Sequence, residues 1–498
     1  WIGTDRGVTL YDGNTFTAFS SSTLSATPIR SFMEDREGSI WIATDGKGLL
    51  KHVPSAFLNY GLEDGLSGDM VWSISYGQNG NVLIGTQSGL TEFDGTQFSP
   101  VEHTSDKLNE GEVYSLLRTS SDVLWMGTET GLVRETATSF DIATQADGED
   151  IGTIFHIAEA DDGSVWFGTS NGLLKHDETG FTRFNNMADS TDGSIQAVFP
   201  DDSGTIWAGT STGIDRFDGV SFSPFISGEA LDDVWISDIK ADSDGDIWIG
   251  TETGLYLYHP DADNKNSTFE FFGLADGMND VMTYFLLFDD QGDLWVGTNQ
   301  GVNHIDLAHF KATGEKNIRS FGKSNGIVGI ETNHHAAFKA NDGTLWFGTV
   351  GGLIIFDPSL FRINNVEPST RITDVRLFFE DPDWRSWTDT YADWTGIPTN
   401  LTLPYHQNHL TFDVVGMSFV SPKKIKYRYK LDGFDKDWSP ETQLPTQTYS
   451  NLAPGHYTLL VRAKNSDGLW NRTPTSYSFK IIMPFWQRWW FILICVTV

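Results

Sequence analysis

The sequence predicts an all-β chain: a seven-bladed β-propeller with remnant blades of another propeller before it, then an immunoglobulin-like β-sandwich and the start of a transmembrane helix. Three observations support this prediction. A motif of eight residues returns nine times, a region of alternating strands follows it, and an apolar run closes the sequence behind a group of aromatic residues. At 498 residues the chain is long enough for several domains.

The repeated motif is cleanest at Trp248–Leu255, which reads Trp-Ile-Gly-Thr-Glu-Thr-Gly-Leu. The nine copies begin at Trp1, Trp41, Leu83, Trp125, Trp166, Trp207, Trp248, Trp295 and Trp346. Spacings of 40 to 51 residues are typical of solenoids or propellers, and about four short strands accompany each copy. We expect one blade per copy. The Trp would fill the wedge between neighbouring blades, and the Gly two positions later would let the sheets approach closely.

The distribution of motifs predicts four segments. Residues 1–60 hold two copies, too few to close a ring, and are expected to be the last blades of an upstream propeller. Residues 61–360 hold the other seven and are expected to form a seven-bladed propeller, although counting alone leaves eight or nine blades open. Residues 361–483 alternate strands and turns without a cysteine pair, which favours a disulfide-free immunoglobulin-like sandwich.

Residues 484–498 differ from everything before them. An aromatic group with one arginine, Pro484–Trp490, stands directly before the apolar run Phe491–Val498. Such a group is typical of a membrane–water interface, so we expect the first turns of a truncated transmembrane helix. The run is shorter than the roughly 20 residues that a full span needs, and a buried strand is the alternative.

Charge and cysteine content exclude several classes of function. The net charge is −34, and residues 1–360 hold 18 basic and 54 acidic residues against 15 and 13 in residues 361–498. A field of this sign disfavours nucleic acid as a partner. The single cysteine, Cys495, allows neither an intramolecular disulfide nor a cysteine-based metal site.

Two polar clusters look like metal sites, but neither fits. Asp242–Asp246 begins like a calcium loop, yet its Gly is fourth instead of sixth and Thr253 stands where the loop needs Glu. His334 and His335 are adjacent, and neighbouring strand residues point to opposite faces. No nucleophile elbow, phosphate loop or zinc-protease helix is present. The sequence therefore predicts no catalytic residue, metal or cofactor, and no enzymatic activity in this region.

One position on the first strand of each repeat varies while its surroundings repeat. It lies eleven residues before the first motif residue, on the strand expected to line the channel. With two neighbouring residues it gives a candidate ligand-binding ring. The ring comprises Trp72, Tyr114, Phe155, Gln196, Trp235, Ser237, Tyr284, Asn333 and His335. Aromatic rings would stack on sugars while polar groups fix orientation. The alternative is that these aromatics only pack between blades.

The nine motifs resemble the repeats of the two-component regulator propeller family. Leu83 in place of Trp is the one departure. The later strands are similar to the three-tyrosine (Y_Y_Y) domain that follows those repeats. The matching segments are Tyr427-x-Tyr429-x-Leu431-x-Gly433, Asn451-Leu452-x-Pro454-Gly455-x-Tyr457 and Ala463-x-Asn465-x-Asp467-Gly468-x-Trp470.

This resemblance implies the periplasmic sensory region of an inner-membrane receptor in a Gram-negative bacterium. The output would be a histidine kinase, often a hybrid one, or alternatively a diguanylate cyclase. An oligosaccharide ligand, a homodimer and a membrane anchor through the C-terminal helix are expected. The alternatives from other classes are a propeller enzyme, either a lyase or a glycan-active one, and a structural surface protein whose propeller only mediates contacts.

Overall fold

A computed structural model describes the chain except residues 20–23, 25, 78–79, 102–110, 138, 147, 185–192, 226–230, 261–267 and 498. The chain divides into two compact units. One is Ser55–Phe361, and the other combines Trp1–Pro54 with Arg362–Val498. Strands dominate both units, and the described residues contain only two short α-helices, Leu307–Thr313 and Trp489–Thr497. The all-β prediction is confirmed.

Seven four-stranded antiparallel sheets, called blades 1 to 7 in chain order, build the described part of Ser55–Phe361. The first strand of each blade is called its inner strand. Each inner strand contacts the inner strands of the blades on either side, and that of blade 7 contacts that of blade 1. The sheets therefore form a closed ring, and the β-propeller prediction is confirmed.

The strands of the first four blades are Val71–Tyr76, Val82–Thr86, Gly89–Phe93 and Phe98–Pro100 in blade 1; Val113–Arg118, Leu124–Thr128, Gly131–Glu135 and Phe140–Ala143 in blade 2; Ile154–Glu159, Val165–Thr169, Gly172–Asp177 and Gly180–Phe184 in blade 3; and Ile195–Pro200, Ile206–Thr210, Ile214–Phe217 and Phe222–Pro224 in blade 4. The strands of the remaining blades are Ile236–Ala241, Ile247–Thr251, Leu255–His259 and Thr268–Phe272 in blade 5; Thr283–Phe288, Leu294–Thr298, Gly301–Ile305 and Ile318–Phe321 in blade 6; and Thr332–Lys339, Leu345–Thr349, Gly352–Phe356 and Phe57–Tyr60 in blade 7. A short ladder of Gln145–Ala146 with Glu149–Asp150 follows blade 2.

Blade 7 takes its outermost strand from the start of the unit. Phe57–Tyr60 pairs antiparallel with Gly352–Phe356, and the Asn59 side-chain amide donates to the Gly326 carbonyl at 2.7 Å. This strand lies before residue 61, the predicted start of the propeller. Motif counting misses it because an isolated outer strand carries no Trp motif of its own. The pairing of this strand with Gly352–Phe356 therefore links the start and the end of the propeller by non-covalent contacts.

The motif residues have the packing roles that the sequence repeat predicts. Trp248 of blade 5 is completely buried and packs with Leu286 and Val296 of blade 6. A Cβ atom on Gly348 of blade 7 would lie 2.5 Å from the Val71 carbonyl oxygen of blade 1. A large flat side chain fills the wedge and a missing side chain permits close approach, so the motif is structural.

Blade 1 departs from this pattern at two paired positions. Trp125 and Trp207 each carry a cross-strand arginine, whose guanidinium carbon lies 5.6 and 5.4 Å from the indole centroid. In blade 1 the corresponding pair is Leu83 and Glu92. These two side chains line a cavity of about 140 Å³ between blades 1 and 2. The smaller side chain thus leaves the wedge incompletely filled.

The second unit contains the predicted sandwich. Its three-stranded sheet is Ser369–Leu377, Leu410–Met417 and Thr446–Tyr449, and its four-stranded sheet is Leu401–Pro404, Thr475–Ile482, Gly455–Lys464 and Lys426–Asp432. Both sheets bury side chains in one core. The Tyr429 and Tyr457 hydroxyls donate to the carbonyls of Leu444 and Ala453 at 2.8 and 2.7 Å. Buried tyrosines therefore fasten the loops to the core, as their polar ends require.

The same unit includes two three-stranded sheets formed by residues 1–54. Their strands are Ile2–Thr4, Gly7–Tyr11 and Phe16–Ala18 in one sheet, and Ile29–Glu34, Ile40–Thr44 and Leu49–His52 in the other. The helix Trp489–Thr497 ends the described chain and buries no residue. Among the described residues, none of the helices combines the length and apolar character needed to traverse a bilayer. Single 3₁₀ turns lie at Leu62–Asp64, Leu274–Asp276, Lys323–Asn325, Trp384–Ser386, Pro422–Lys424 and Phe485–Gln487.

Candidate ligand-binding site

The inner strands of blades 1 to 6 each carry a β-bulge at the same place. In blade 1, Val71 pairs with Thr86 and Ser73 with Gly85, so Trp72 has no partner in the ladder. The residues skipped in this way are Trp72, Tyr114, Phe155, Gln196, Ser237 and Tyr284. A bulge bends the strand and re-aims a side chain. The variable position of the sequence repeat is therefore the bulge of the inner strand.

Blade 7 has a larger bulge than the other blades. Thr332 pairs with Thr349 and Ala337 with Phe347, so the four residues Asn333–Ala336 stand opposite Gly348 alone. His335 adopts a left-handed conformation with φ of +53°, which is uncommon for a residue with a side chain. We call Asn333–His335 the plug, because its side chains contact the inner strands or adjoining loops of five other blades.

His335 reaches three of those blades. Its ring stacks on His156 of blade 3, with centroids 3.8 Å apart and planes 3° apart. Its Nε2 donates to the Gln196 carbonyl of blade 4 at 2.8 Å, and its Nδ1 lies 3.4 Å from Asp238 Oδ1 of blade 5. The His335 side chain is only 8% exposed. One residue of blade 7 therefore closes the channel at this level.

The other two plug residues complete the contacts. The Asn333 side-chain amide donates to the Val71 carbonyl of blade 1 at 2.8 Å. The His334 ring lies edge-on to Trp235, in the loop that leads into blade 5, and to Tyr284 of blade 6, with centroids 4.7 and 4.6 Å away. These contacts hold the enlarged bulge in one conformation.

Hydrogen bonding fixes the protonation of His156 and Asp238. The Val198 N–H donates to His156 Nδ1 at 3.0 Å, so that nitrogen carries no proton. Burial, reinforced by the charge of His335, holds the pKa of His156 well below its usual value, and the ring is neutral. Although burial opposes it, the charges of Lys240 and His335 hold the pKa of Asp238 below its usual range. Asp238 Oδ2 accepts from the Leu286 N–H at 2.8 Å.

His335 sits between two acceptors. Its Nε2 faces a carbonyl oxygen and its Nδ1 faces a carboxylate oxygen. The stack therefore places the neutral His156 ring against a ring that faces two acceptors. Burial also lowers the pKa of His334, to about 3.

The structure brings part of the predicted ring together in two groups. The Trp72 and Tyr114 rings meet edge to face with centroids 5.6 Å apart. Trp235 and Tyr284 flank His334 on the other side. Trp72 Nε1 is buried and, within the described part of the chain, has no hydrogen-bond partner. Both groups lie where the inner strands begin, at one end of the channel.

The remaining ring residues are placed differently. Ser237 is 1% exposed and its Oγ lies 3.3 Å from Thr283 Oγ1, between blades 5 and 6. Asn333 is 4% exposed and its side-chain amide binds the Val71 carbonyl. The Gln196 side chain donates to Ser194 Oγ at 2.9 Å, and Phe155 is half-buried on its bulge. Ser237 and Asn333 therefore make contacts within the scaffold.

Sequence reasoning missed His156 and Asp238. Each follows a bulge position by one residue, and each accepts a backbone N–H from the next blade. The equivalent residues in the other blades are Ser73, Ser115, Ala197, Phe285 and Ala336. An ionisable residue at this position stands out against Ser, Ala and Phe, so the same repeat alignment contained a signal for both residues.

Polar clusters outside the channel have local partners. In Asp242–Asp246, the Lys311 ammonium lies 3.0 Å from Asp242 and 2.5 Å from Asp244. In blade 6, Asp289, Asp293 and His304 hold ligand atoms within 4.8 Å of one another. The carboxylate of Asp289 already accepts the Trp295 indole N–H at 2.9 Å, an interaction that Asp201 and Asp242 repeat in their own blades. Asp289 therefore has the turn-forming role shared by these blades.

Comparison with known proteins adds the following matches. The family model of the Y_Y_Y domain matches residues 418–481, and that of the two component regulator propeller matches residues 23–46 and 230–253. Histidine kinase P4 of Formosa agariphila is 24% identical over 175 residues, which are 35% of this chain and 13% of that protein. The chain thus matches about an eighth of the length of that relative.

Two solved structures are similar to the chain. The first is the extracellular domain described as that of a hybrid two component system of B. thetaiotaomicron. It is 21% identical with a TM-score of 0.71, and the match covers 97% of this chain and 71% of that one. The second is virginiamycin B lyase from Staphylococcus aureus, 13% identical with a TM-score of 0.47, covering 60% of this chain and 97% of the lyase. The first likeness supports the fold, and the second supports no functional inference.

Proposed function

Since the chain carries two component regulator propeller repeats and a Y_Y_Y domain, we propose that it is the extracytoplasmic ligand-sensing region of a membrane-bound two-component receptor. The order of the parts supports this role, because the repeat-bearing propeller precedes the sandwich and the sandwich precedes an apolar helix. A histidine kinase is the proposed output, in agreement with the name of the relative in Formosa agariphila. A diguanylate cyclase is the alternative output.

The proposed ligand is an oligosaccharide bound at the end of the channel where the inner strands begin. The observation that carries this proposal is the presence of two aromatic groups at this end: Trp72 with Tyr114, and Trp235 with Tyr284 on either side of His334. Flat aromatic faces stack on sugar rings, and a few polar groups between them set the orientation.

The proposed role is binding without catalysis. His156 Nδ1 and Asp238 Oδ2 each accept a backbone N–H from a neighbouring blade. Groups committed to the scaffold in this way are poorly placed to exchange protons with a ligand. A lyase or a glycan-active enzyme, the alternative from another class, would need a free acid–base pair at the channel end.

The receptor is proposed to act as a homodimer in the periplasm of a Gram-negative bacterium, anchored in the inner membrane. A ligand that binds one arrangement of the dimer more tightly would shift the population towards it, and the sandwich would pass the change towards the helix.

Thermal unfolding against a panel of oligosaccharides tests the ligand class. One class of glycan should raise the melting temperature with concentration, because a ligand at 100 times its Kd stabilises the folded state by about 2.7 kcal/mol. Tyr114→Ala should reduce the shift, whereas the matched variant Tyr391→Ala, an exposed tyrosine of the sandwich, should not. A panel without any stabilising sugar would contradict the oligosaccharide proposal, as would an equal shift in both variants.

A further inference from the structure

An exposed pair of phenylalanines caps one end of the sandwich. Leu377 and Glu380 exchange backbone hydrogen bonds of 2.9 and 3.0 Å, so Phe378 and Phe379 form a two-residue turn. Both have positive φ, +49° and +67°, and both are exposed, at 48% and 61%. Such a turn normally takes Asn and Gly, which adopt positive φ at little cost. Two large apolar side chains at these positions disfavour folding, so folding alone does not explain their presence.

Strand pairing brings further exposed apolar side chains to the same end. Both phenylalanine rings pack on His409, with centroids 5.4 and 4.6 Å away. On the facing sheet, Pro404 pairs with Ile482. Tyr405 follows Pro404 directly and Trp486 lies four residues after Ile482, and their rings meet with centroids 5.0 Å apart. We call this surface the aromatic rim; its residues are Phe378, Phe379, Tyr405, Phe434, Met483 and Trp486, exposed by 38% to 61%.

The opposite end of the sandwich is different. There Phe419 packs on Trp41 with centroids 5.6 Å apart, and its N–H donates to Glu37. That aromatic side chain therefore has a partner within its own unit. Within the described chain, the rim side chains contact one another and the loops of the sandwich.

The place where the chain leaves the sandwich indicates what the aromatic rim faces. The strand Thr475–Ile482 ends at the rim, and the helix Trp489–Thr497 follows within seven residues. The helix contains no charged residue and its side chains are largely exposed. Exposed charges near the rim have both signs, with Glu380 and Asp381 against Lys436 and Arg488. The rim is therefore apolar without being basic, which fits a zwitterionic lipid headgroup region better than an anionic surface.

We propose that the aromatic rim rests on the surface of the bilayer, with its rings at headgroup level and the apolar helix leaving beside them. The proposal rests on the membrane-bound receptor proposed above. Contact at the rim would set the sandwich upright on the membrane, so that a change in the sandwich reaches the helix through a short and fixed connection.

Polarity-sensitive labels on the full 498-residue chain test this contact. In a Cys495→Ser background, Glu380→Cys places a dye beside the rim, and Leu444→Cys, 68% exposed beyond the opposite end of the three-stranded sheet, is the matched control. With phosphatidylcholine vesicles, the dye at residue 380 should shift to the blue and the dye at residue 444 should not. The shift should persist at about 1 M salt, where an electrostatic contact would be screened.

Replacing the two phenylalanines removes the contact without harming the turn. Phe378→Asn with Phe379→Gly supplies the residues that the turn prefers, so folding should be kept while the blue shift at residue 380 is lost. A third label, Ile494→Cys in the helix, separates the two proposals. A blue shift at 494 without one at 380 overturns the rim and leaves membrane attachment standing. No shift at either position overturns both. A blue shift at residue 380 that appears without vesicles and grows with protein concentration would assign the rim to a contact with a second copy of the chain. That result would overturn the lipid contact.

Discussion

His335 of blade 7 and His156 of blade 3 stack across the propeller channel, with centroids 3.8 Å apart and nearly parallel planes. One ring is neutral because it accepts a backbone N–H, and the other lies between a carbonyl and a carboxylate. Contacts of the same three-residue plug with blades 1, 5 and 6 accompany this stack. A ligand that enters from the bulge end of the inner strands therefore meets a closed surface instead of an open channel.

Removing the His335 ring should destabilise the propeller. His335→Asn keeps a residue that tolerates positive φ but removes the ring that stacks on His156 and contacts the buried Asp238 carboxylate. Loss of buried packing and polar contacts of this kind costs about 2 kcal/mol or more. Urea unfolding measures the loss. His309→Asn, at a histidine 39% exposed, is the control and should change stability by less than about 0.5 kcal/mol. Equal losses of stability in the two variants would contradict the stabilising role of His335 in the plug.

Asp238→Asn combined with His335→Asn should cost less than the sum of the single changes, because the two side chains contact each other and each single change already removes that contact. Urea unfolding of the two single variants and the double variant completes this cycle. Additive losses would show that the two side chains do not interact.

Stability should fall between pH 7 and pH 5. His334 and His156 have pKa values lowered by burial, to about 3 for His334, while the unfolded chain binds protons near pH 6.5. As the pH falls below 6.5, protonation therefore favours the unfolded state. His334 alone should contribute a loss of about 2 kcal/mol at pH 5, and His156 a loss in the same direction. The lowered pKa of Asp238 acts only below about pH 4.

His334→Phe checks this pH dependence, because it keeps an aromatic ring between Trp235 and Tyr284 but cannot titrate. Unfolding in urea at pH 7, 6 and 5 should give a shallower decline for the variant than for the wild type. An unchanged slope would mean that His334 is not held neutral by burial.

The regular part of the propeller could be predicted because its signal is repeated. A Trp in the wedge and a Gly at the close approach have the same physical cause in every blade, so residues such as Trp248 and Gly348 identify the blades by their spacing alone. The strand Phe57–Tyr60 could not be assigned, since it pairs with residues about 300 positions later and carries no motif.

The site could be predicted only in part. Counting back from Trp346 places His335 in the variable slot, but it cannot reveal the enlarged bulge, because counting assumes equal strand lengths. Likewise, the Ser237 side chain lies between two blades, and the Asp238 side chain lies on the channel side. These orientations depend on the local bulge, and the alternation of an ideal strand does not predict them. His156 and Asp238 were accessible from their chemistry, as ionisable residues where the other blades have Ser, Ala or Phe.

Gly348→Ala should weaken the junction between blades 7 and 1. A Cβ atom there would lie 2.5 Å from the Val71 carbonyl oxygen and 2.8 Å from Ala336 Cβ, so the sheets would have to move apart. Overpacking of this kind costs about 2 kcal/mol. Gly61→Ala is the matched control, since a Cβ atom at Gly61 meets nothing within 4 Å. Urea unfolding should separate the variants, and equal stability would contradict the close approach.

The cavity between blades 1 and 2 should accommodate a tryptophan at position 83 together with an arginine at position 92. Leu83→Trp with Glu92→Arg fills the cavity of about 140 Å³ and introduces the cation–indole contact that blades 2, 3 and 4 have. We expect a gain of about 1 kcal/mol in the free energy of unfolding. Leu83→Trp alone should gain less, because Glu92 would then face the indole. A double variant no more stable than the wild type would show that the wedge is already well packed.

Isothermal titration of the most stabilising oligosaccharide into the chain shows whether the ligand binds at the end of the propeller channel. We expect Trp72→Ala and Trp235→Ala each to weaken binding by about tenfold or more, since each removes about 1.4 kcal/mol or more of stacking. Trp394→Ala, which removes a fully exposed indole of the sandwich, should leave the affinity unchanged. Wild-type affinity in both channel variants would place the ligand elsewhere and contradict the site at the end of the propeller channel.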